Sequence, residues 1–351
     1  MPSIPQHDLS IVDNALLITS IPTIWTAPHH LSAPISIAAS KTLKHLRIVL
    51  ISPQFDSIEI ENDHIVKGIS HTGRWDEVQR LLTYVYVQAT KVAQEMDKVL
   101  MEIDVLLYGS NETLPDFLGN DIQRIYRVSL APDGDNLNTL PPSLSNSNSS
   151  STVESIWLQP TDYHAPTTSH TPSHPPPILH PTDPSLPPFL PVVALGGTFD
   201  HLHAGHKILL SMAAWIASEK LIVGMTDDAL LVNKANKQVL QSLSTRISHV
   251  RTFLTSFKPS LQYQIVPIND VYGPTAWDPN IQALVVSRET LPGASMIESR
   301  RKEKSLPLLK TFVIDVISST EASLDDEDTE ALKKTKMSST FIREWIKEKL
   351  A

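Results

Sequence analysis

The chain has 351 residues and a formal net charge of −9, and 41% of its residues are hydrophobic. This length favours two domains, with enough apolar residues for a core in each. The acidic balance is opposite to what binding of a phosphate backbone requires, so a nucleic-acid-binding protein is not expected. The chain has no cysteine, which excludes disulfides, thiolate metal sites and cysteine nucleophiles.

The sequence carries no recognisable membrane or export signal. No apolar run reaches the roughly 18 residues that a membrane-spanning helix needs. The N-terminal residues have no basic segment ahead of an apolar one, as a secretory signal would, and they are not rich in arginine as a mitochondrial presequence is. We therefore expect an intracellular protein without a membrane span, located in the cytoplasm with the nucleus as the alternative.

Residues 1–130 predict an N-terminal α/β domain of unknown role. Apolar stretches at Ala15–Ile18 and Leu46–Ile51 indicate strands. A long segment with helical periodicity runs from Trp75 to about Met101, and the buried-strand pattern MEIDVLLYGS follows it. A mixture of strands and one long helix is typical of a small α/β or α+β domain.

Residues 131–190 predict a disordered linker. Proline and serine are abundant there, and no glycine occurs between Pro141 and Leu190. Such a composition cannot bury enough apolar surface to fold, and its proline runs stay extended. Its scattered histidines are interpreted as linker residues, so no metal ligands are expected among them.

Residues 191–351 predict the second domain, in which apolar strands alternate with helices. The predicted strands cover 191–197, 220–226, 261–268, 283–287 and 310–318. The predicted helices cover about 203–218, 243–257, 294–304 and 338–350. This alternation is typical of right-handed βαβ units, so we expect a Rossmann-like parallel sheet with helices on both faces. Ligands of such sheets bind beyond the carboxyl ends of the strands.

The strongest functional signal is GGTFDHLHAGHKILL, which starts at Gly196 directly after a predicted strand. Gly196 and Gly197 are expected to let the backbone turn tightly and approach a ligand with no Cβ in the way. His203 and His206 fall at the start of a predicted helix, whose free N–H groups and dipole favour phosphate. The segment therefore predicts a triphosphate cradle for phosphoryl or nucleotidyl transfer.

Other interpretations of this segment are less favoured. It contains neither the dinucleotide-binding fingerprint nor a P-loop. A zinc site of His201, His203 and His206 is an alternative, but a helix would leave His201 off the face that the other two share. Asp200 is expected to cap the helix or fix the loop, and a substrate contact is its second interpretation.

A second signal, KMSSTFIREW, lies near the C-terminus. Ser338, Ser339 and Thr340 supply hydroxyls and backbone N–H groups at a predicted helix start. Arg343 lies one turn further on, where its guanidinium can bind a phosphate. Alone, this pattern is that of an ordinary capped helix, and its meaning comes from its pairing with the first motif.

Together the two motifs give residues 191–351 a resemblance to the nucleotidyltransferases that carry His-x-Gly-His near their start and Ser-Ser-Thr-x-x-Arg near their end. Within that superfamily the sequence is similar to the eukaryotic, fungal-type phosphopantetheine adenylyltransferases. The matching stretches are LGGTFDHLHAGHKILLS, VGMTDDALLVNK, SFKPSLQYQIVPINDVYGP, LVVSRET and KMSSTFIRE. They cover nearly all of the second domain and none of the first.

The resemblance implies adenylyl transfer from ATP to 4′-phosphopantetheine, with Mg²⁺ carried by the ATP and no metal held by protein side chains. It implies that His203 and His206 are catalytic residues on the ATP phosphates, and that Gly196 and Gly197 pass close to the nucleotide. Thr198 would orient the acceptor or the α-phosphate.

The remaining implied roles concern cations and the second motif. Lys234 would be a catalytic, phosphate-binding lysine, with Lys237 as the alternative, and Arg288 and Asp200 would contact substrate. The residues implied to bind the β- and γ-phosphates are Ser338, Ser339, Thr340 and Arg343.

Three alternatives stay open. The shared motifs also fit a cytidylyltransferase or a nicotinamide mononucleotide adenylyltransferase. The chain could instead act mainly as a scaffold for protein partners in coenzyme A synthesis, through its first 190 residues. Finally, His71–Arg74 looks like a broken His-x-Gly-His copy, which would indicate a vestigial duplication, although one short match is weak.

Overall fold

The computed structural model describes residues 9–61, 64–128, 140–145, 153–161, 186–314 and 338–350. It divides into two compact units. The first comprises Met1–Gly68 and Tyr84–Pro175, and the second comprises Ile69–Thr83 and Pro176–Ala351. No helix in the described part of the chain is long and apolar enough to span a membrane.

The first unit is built on a five-stranded parallel sheet with the order β5-β2-β1-β6-β7. Its strands are β1 (Val12–Ser20), β2 (Thr42–Ser52), β5 (Glu102–Gly109), β6 (Arg124–Val128) and β7 (Glu154–Leu158), with a separate hairpin of β3 (Glu59–Glu61) and β4 (His64–Lys67). Its helices are α1 (Ser32–Ser40), most of α2 (Trp75–Glu95) and the short α3 (Pro142–Ser145). Residues Ala15–Ile18 of β1 and Ile48–Ile51 of β2 are apolar and buried, as in strands of a two-sided parallel sheet.

The second unit repeats this architecture with a parallel sheet of order β10-β9-β8-β11-β12. Its strands are β8 (Leu190–Gly197), β9 (Ala217–Thr226), β10 (Gln262–Ile268), β11 (Ala283–Ser287) and β12 (Lys310–Ile314). Its helices are α4 (Ala204–Ile216), α5 (Leu243–Phe257), α6 (Leu291–Glu303) and α7 (Ser339–Leu350). The chain order reverses at β8, which lies between β9 and β11, so the carboxyl end of β8 is where a ligand is expected.

The predicted fold class is confirmed, and the element bounds in the second domain are close to the predicted ones. α4 ends at Ile216, two residues earlier than predicted, because β9 already begins at Ala217. α6 begins earlier than predicted, at Leu291, since Pro292 is tolerated in a first helical turn. The predicted last strand is described as far as Ile314, and its remaining residues lie outside the described part.

The predicted disordered linker needs a correction. Residues 154–158 form β7, which pairs with β6 along its whole length, and Ile156 and Leu158 are buried. The strand escaped prediction because five residues are too few to register against the surrounding proline and serine. Most of the rest of 131–190 lies outside the described residues.

Residues 69–83 also differ from the predicted organisation, since they belong to the second unit although they precede the linker. The His71 ring stacks on the Trp215 ring with centroids 3.4 Å apart, and His71 Nδ1 lies 2.6 Å from the Trp215 carbonyl oxygen. Thr72 Oγ1 donates to the Pro187 carbonyl at 2.6 Å. The segment thus packs against the C-terminal turn of α4 and the entry to β8.

Candidate active site

The first motif lies at the carboxyl end of β8, but its glycines do not make the turn that the sequence predicts. Gly196 and Gly197 are part of the extended strand, and the left-handed residues are Phe199 (φ 51°) and His201 (φ 44°). Phe199 is fully buried, which holds this unfavourable backbone conformation in place. The prediction of a glycine turn is therefore wrong.

Gly196 leaves open space at the end of β8. The residue is exposed, and a Cβ built on it would meet nothing nearer than 3.6 Å. The protein itself therefore does not require a glycine at this position. A ligand lying against the end of β8 would explain why the residue there has no side chain.

His203 and His206 form a stacked pair at the start of α4. Their ring centroids are 3.8 Å apart, with an interplanar angle of 25°. His203 is the N-cap residue and makes no side-chain cap, so the first-turn N–H groups of α4 have no side chain bound to them from that position. Both Nδ1 atoms are buried, and neither has a hydrogen-bond partner in the described part of the chain.

Burial keeps both imidazoles neutral at pH 7. Removal from water lowers the pKa of His203 to about 4, against a smaller opposing effect of the Asp200 carboxylate. The pKa of His206 is also lowered well below its ordinary value, by burial and then by the neighbouring His203. A neutral imidazole has one donor and one acceptor nitrogen. The pair can therefore donate hydrogen bonds to phosphate oxygens without carrying a fixed charge.

The two motifs meet at Asp200. Its carboxylate is fully buried, with Oδ2 2.6 Å from Arg343 Nη1 and Oδ1 accepting from the Gln241 N–H at 2.9 Å. Its backbone carbonyl accepts from Ser339 Oγ at 2.7 Å. The predicted substrate contact of Asp200 is corrected, because both carboxylate oxygens are already engaged by the protein. The favoured interpretation, a residue that fixes the loop, agrees with this geometry.

The second motif forms the N-terminus of α7. Ser338 Oγ accepts from the Phe341 N–H at 3.3 Å, and Thr340 Oγ1 accepts from Arg343 Nη2 at 3.2 Å. Arg343 also donates through Nε to the Ala235 carbonyl at 3.0 Å, and its side chain is buried. Its guanidinium is thus held by protein groups, so we interpret it as a positioning residue and not as a phosphate ligand, which corrects the sequence-based role.

The remaining predicted residues line the same edge of the sheet. Thr198 is half-buried and directly follows β8, and Arg288 is exposed directly after β11. Lys234 and Lys237 are both exposed, and Lys234 adjoins Ala235, which receives the Arg343 hydrogen bond. The structure does not choose between the two lysines.

Arg246 is the main residue that the sequence analysis missed. It is fully buried and donates through Nη1 to the Thr198 carbonyl at 2.8 Å and to the Thr226 carbonyl at 3.0 Å. Its Nη2 pairs with Asp228, and its Nε donates to the Gln241 carbonyl at 3.1 Å. Arg246 thereby ties together the carboxyl ends of β8 and β9.

A signal for this residue was present in the helical periodicity of α5. Position 246 precedes Val250 by four residues and lies on the stripe that continues through Phe253 and Phe257, all of them buried. An arginine on a buried stripe must be paired, which marks it as structural.

No group of three potential metal ligands occurs in the described residues. His201 donates through Nε2 to the Val239 carbonyl at 2.7 Å, and its backbone N–H donates to Gln241 Oε1 at 3.0 Å. This ring is thus held by the loop after β9.

The second unit is similar to known proteins. The family model described as cytidylyltransferase-like matches residues 194–345. A phosphopantetheine adenylyltransferase of Saccharomyces cerevisiae is 46% identical over 156 residues, which are 44% of this chain and 48% of that protein. One of Pyrobaculum aerophilum is 34% identical over 125 residues, which cover 36% of this chain and 79% of the relative.

The chain belongs to the phosphopantetheine adenylyltransferase family. A third relative of that name, from Methanopyrus kandleri, is 38% identical over 122 residues and matched over 76% of its length. The chain spans about half the length of the yeast relative. The range matched by the family model includes Arg246 and the Asp200 contacts that join the two motifs.

Proposed function

We propose that the second unit transfers the adenylyl group of ATP to 4′-phosphopantetheine, giving dephospho-coenzyme A and pyrophosphate. The observation that carries the proposal is the meeting of the two distant motifs, with Ser339 Oγ bonded to the Asp200 carbonyl beside the stacked His203–His206 pair. The names of the relatives supply the substrates.

In the proposed reaction, an oxygen of the pantetheine phosphate attacks the α-phosphorus of ATP in line. The new P–O bond forms as the bond to the bridging oxygen breaks, and pyrophosphate leaves with the electron pair. The chain's task is positioning and stabilisation of charge, because no covalent intermediate is needed. His203, His206 and the first-turn N–H groups of α4 donate to the phosphate oxygens.

The other residues of the site have supporting roles in this proposal. Gly196 lets the nucleotide lie against the strand end, and Thr198 orients the attacking or the α-phosphate. The N-terminus of α7, with Ser338, Ser339 and Thr340, binds the departing pyrophosphate. Lys234 or Lys237 supplies a cation to the same phosphates, and Arg288 is proposed to meet the acceptor.

We propose that Mg²⁺ enters with ATP. The donors at the strand ends are imidazoles, hydroxyls and backbone N–H groups, which suit phosphate, whereas the Asp200 carboxylate is occupied by Arg343 and Gln241. Mg²⁺ prefers oxygen ligands and keeps several waters, so the ATP phosphates suit it better than these side chains. Its chemical contribution is to neutralise charge on the triphosphate.

The decisive experiment compares His206→Ala with His249→Ala, an exposed histidine on α5 that serves as the matched control. Pyrophosphate release is measured with ATP, Mg²⁺ and 4′-phosphopantetheine. Removing one donor to developing charge typically costs about 10²–10³ in rate, so turnover should fall by that factor in His206→Ala alone. Near-normal turnover in His206→Ala would refute the assignment.

The second candidate is another nucleotidyl transfer, favoured by the cytidylyltransferase-like description of the family model. Running the same assay with CTP and a phosphorylated alcohol, or with ATP and nicotinamide mononucleotide, tests it. The other alternative is that the first unit acts as a scaffold for protein partners of coenzyme A synthesis. Affinity capture with a catalytically inactive chain tests this scaffold role. A cytoplasmic location, with the nucleus as alternative, fits a cysteine-free chain and is tested by imaging.

A further inference from the structure

The two units share more than their strand order. Both sheets place the first strand of the unit at the centre, the second and third on one side and the fourth and fifth on the other. This order is widespread among open parallel sheets, so it indicates a common ancestor only if details beyond topology also agree.

A pair of lysines provides such a detail. Lys98 follows α2 and donates through Nζ to the carbonyl oxygens of Ala39, Ser40 and Thr42, at 3.3, 2.6 and 2.8 Å. Lys258 follows α5 and donates through Nζ to those of Ala214 and Ala217, at 3.2 and 2.7 Å. In both units a lysine thus binds a carbonyl in the last turn of the first helix and one three residues further on, at the start of the second strand; Lys98 binds Ser40 in addition.

The turn that follows each lysine is also the same. The Met101 N–H donates to the Lys98 carbonyl at 2.9 Å, and the Leu261 N–H donates to the Lys258 carbonyl at 3.2 Å. The third strand of the unit begins at the next residue in each case, at Glu102 and Gln262.

Strand register carries the correspondence across both sheets. Starting from the lysines, the row of Cα partners Ile103, Leu46, Ala15, Arg124 and Glu154 corresponds to Tyr263, Leu221, Val193, Ala283 and Lys310. With this alignment β6 and β11 start and end at equivalent residues, and so do β7 and β12. The capped carbonyls align as well, and with them the segment ISIAA (35–39) falls on LSMAA (210–214).

The correspondence identifies what the first unit has at the nucleotide positions. Ile18 stands where the second unit has Gly196, and Val49 stands where it has Gly224; both side chains are buried. Ahead of the first helix, Pro28 and Leu31 occupy the places of His203 and His206. The glycine floor and both imidazoles are thus replaced by apolar groups.

The chain itself covers the equivalent strand end. The segment after β1 carries Ile21 and Ile24, which are both almost fully buried. The Ile21 N–H donates to the Ile51 carbonyl at 2.8 Å, which extends the pairing of β1 with β2 by one residue, and Ile21 aligns with the equally buried Phe199 of the second unit. The Ile24 N–H donates to Gln54 Oε1 at 3.1 Å, just after the end of β2, so Ile24 is the apolar cover specific to the first unit.

We propose that the first unit is a second copy of the nucleotidyltransferase fold whose nucleotide site has been closed by its own side chains, so that the chain binds one nucleotide. The inference rests on the function proposed for the second unit. It also replaces the sequence-based duplication hypothesis: His71–Arg74 precedes α2, which corresponds to α5, so that segment is not the counterpart of the His-x-Gly-His motif.

The test labels the full chain with 8-azido-ATP and Mg²⁺ under light and maps the labelled peptides, alongside calorimetric titration with ATP. One equivalent of ATP and labels confined to peptides within 186–350 are expected. A second equivalent, or labels within 9–61 or 84–128, would overturn the proposal. If neither unit binds ATP, the function proposed for the second unit fails while the closure of the first is upheld.

A substitution sharpens the stoichiometry. Gly196→Ile copies the residue of the first unit into the second, where the backbone has room for a Cβ. It should abolish ATP binding with little change in melting temperature, and Ile18→Val is the matched control that keeps one equivalent. Residual binding in Gly196→Ile, with the label moving to the first unit, would contradict the proposal. The photolabelling result stands without this variant should it fold poorly.

Discussion

The ion pair between Asp200 and Arg343 is expected to hold the two motifs together, and its loss should be costly in stability. The Asp200 side chain is 0% exposed and that of Arg343 3% exposed. Removing one partner of such a pair leaves an uncompensated buried charge, which typically costs about 3–5 kcal/mol. The substitution Asp200→Asn keeps the shape of the side chain and an oxygen for the Gln241 N–H, so it isolates the charge.

For a unit of this size, each kcal/mol lowers the melting temperature by about 2–4 °C. Asp200→Asn and Arg343→Met should therefore each lower it by roughly 6–20 °C. The double substitution should cost less than the sum of the two, because residues in contact are coupled by about 0.5–3 kcal/mol. Thermal unfolding of the two single variants and the double variant completes a double-mutant cycle.

The matched control is the exposed pair of Glu298 and Lys302 on α6, with side chains 52% and 60% exposed. Glu298→Gln should cost less than about 1 kcal/mol, as surface pairs do. Activity should fall with Asp200→Asn through loss of α7 positioning, visible as a raised KM for ATP. The role assigned to the pair would be refuted if Asp200→Asn and Arg343→Met each destabilised the protein no more than Glu298→Gln does and if their effects simply added in the double variant.

Two further predictions concern buried groups of the second unit. Burial lowers the pKa of His71 to about 3 and that of His203 to about 4, so below pH 6.5 the unfolded chain binds more protons than the folded one. The free energy of unfolding should therefore fall as the pH drops from 6.5 towards 4, by about 2 kcal/mol per histidine. Chemical denaturation of His71→Asn should show a shallower pH dependence of this free energy, and an unchanged dependence would contradict the assignment. Arg246→Met leaves the carbonyls of Thr198 and Thr226 without their donor and should lower the free energy of unfolding by about 2–4 kcal/mol. Amide hydrogen exchange should become faster at the ends of β8 and β9. A change in exchange confined to α5 would contradict the role assigned to Arg246.

The elements of the second unit were predictable because each strand is a short, fully apolar run and each helix has a clear period. α5 is the best example: its predicted bounds, 243–257, are those observed, since Ser242 caps its first turn and its apolar stripe ends at Phe257. β7 was not predictable, because it is a five-residue run within proline- and serine-rich sequence and it pairs with β6, a distant segment that no local window includes.

The sequence analysis identified most residues of the candidate site but not the contacts between them. The sequence places His203 and His206 on one helix turn, which fixes their proximity. It does not show that Asp200 faces Arg343, since that contact joins residues 143 positions apart. The turn at Phe199 and His201 was missed because left-handed backbone is normally a glycine signal.

The charges around the site suggest why its donors are neutral. Arg343 is compensated by Asp200 and Arg246 by Asp228, so the buried arginines of the strand ends add little net charge there. The imidazoles are neutral because they are buried. Lys234, Lys237 and Arg288, the cations predicted for the triphosphate, are exposed, and solvent and salt weaken the attraction of exposed charges. In the reaction proposed for this unit, phosphates would be held by directed hydrogen bonds close to the reacting atoms and by screened charge further out, and pyrophosphate would leave without the breaking of a buried ion pair.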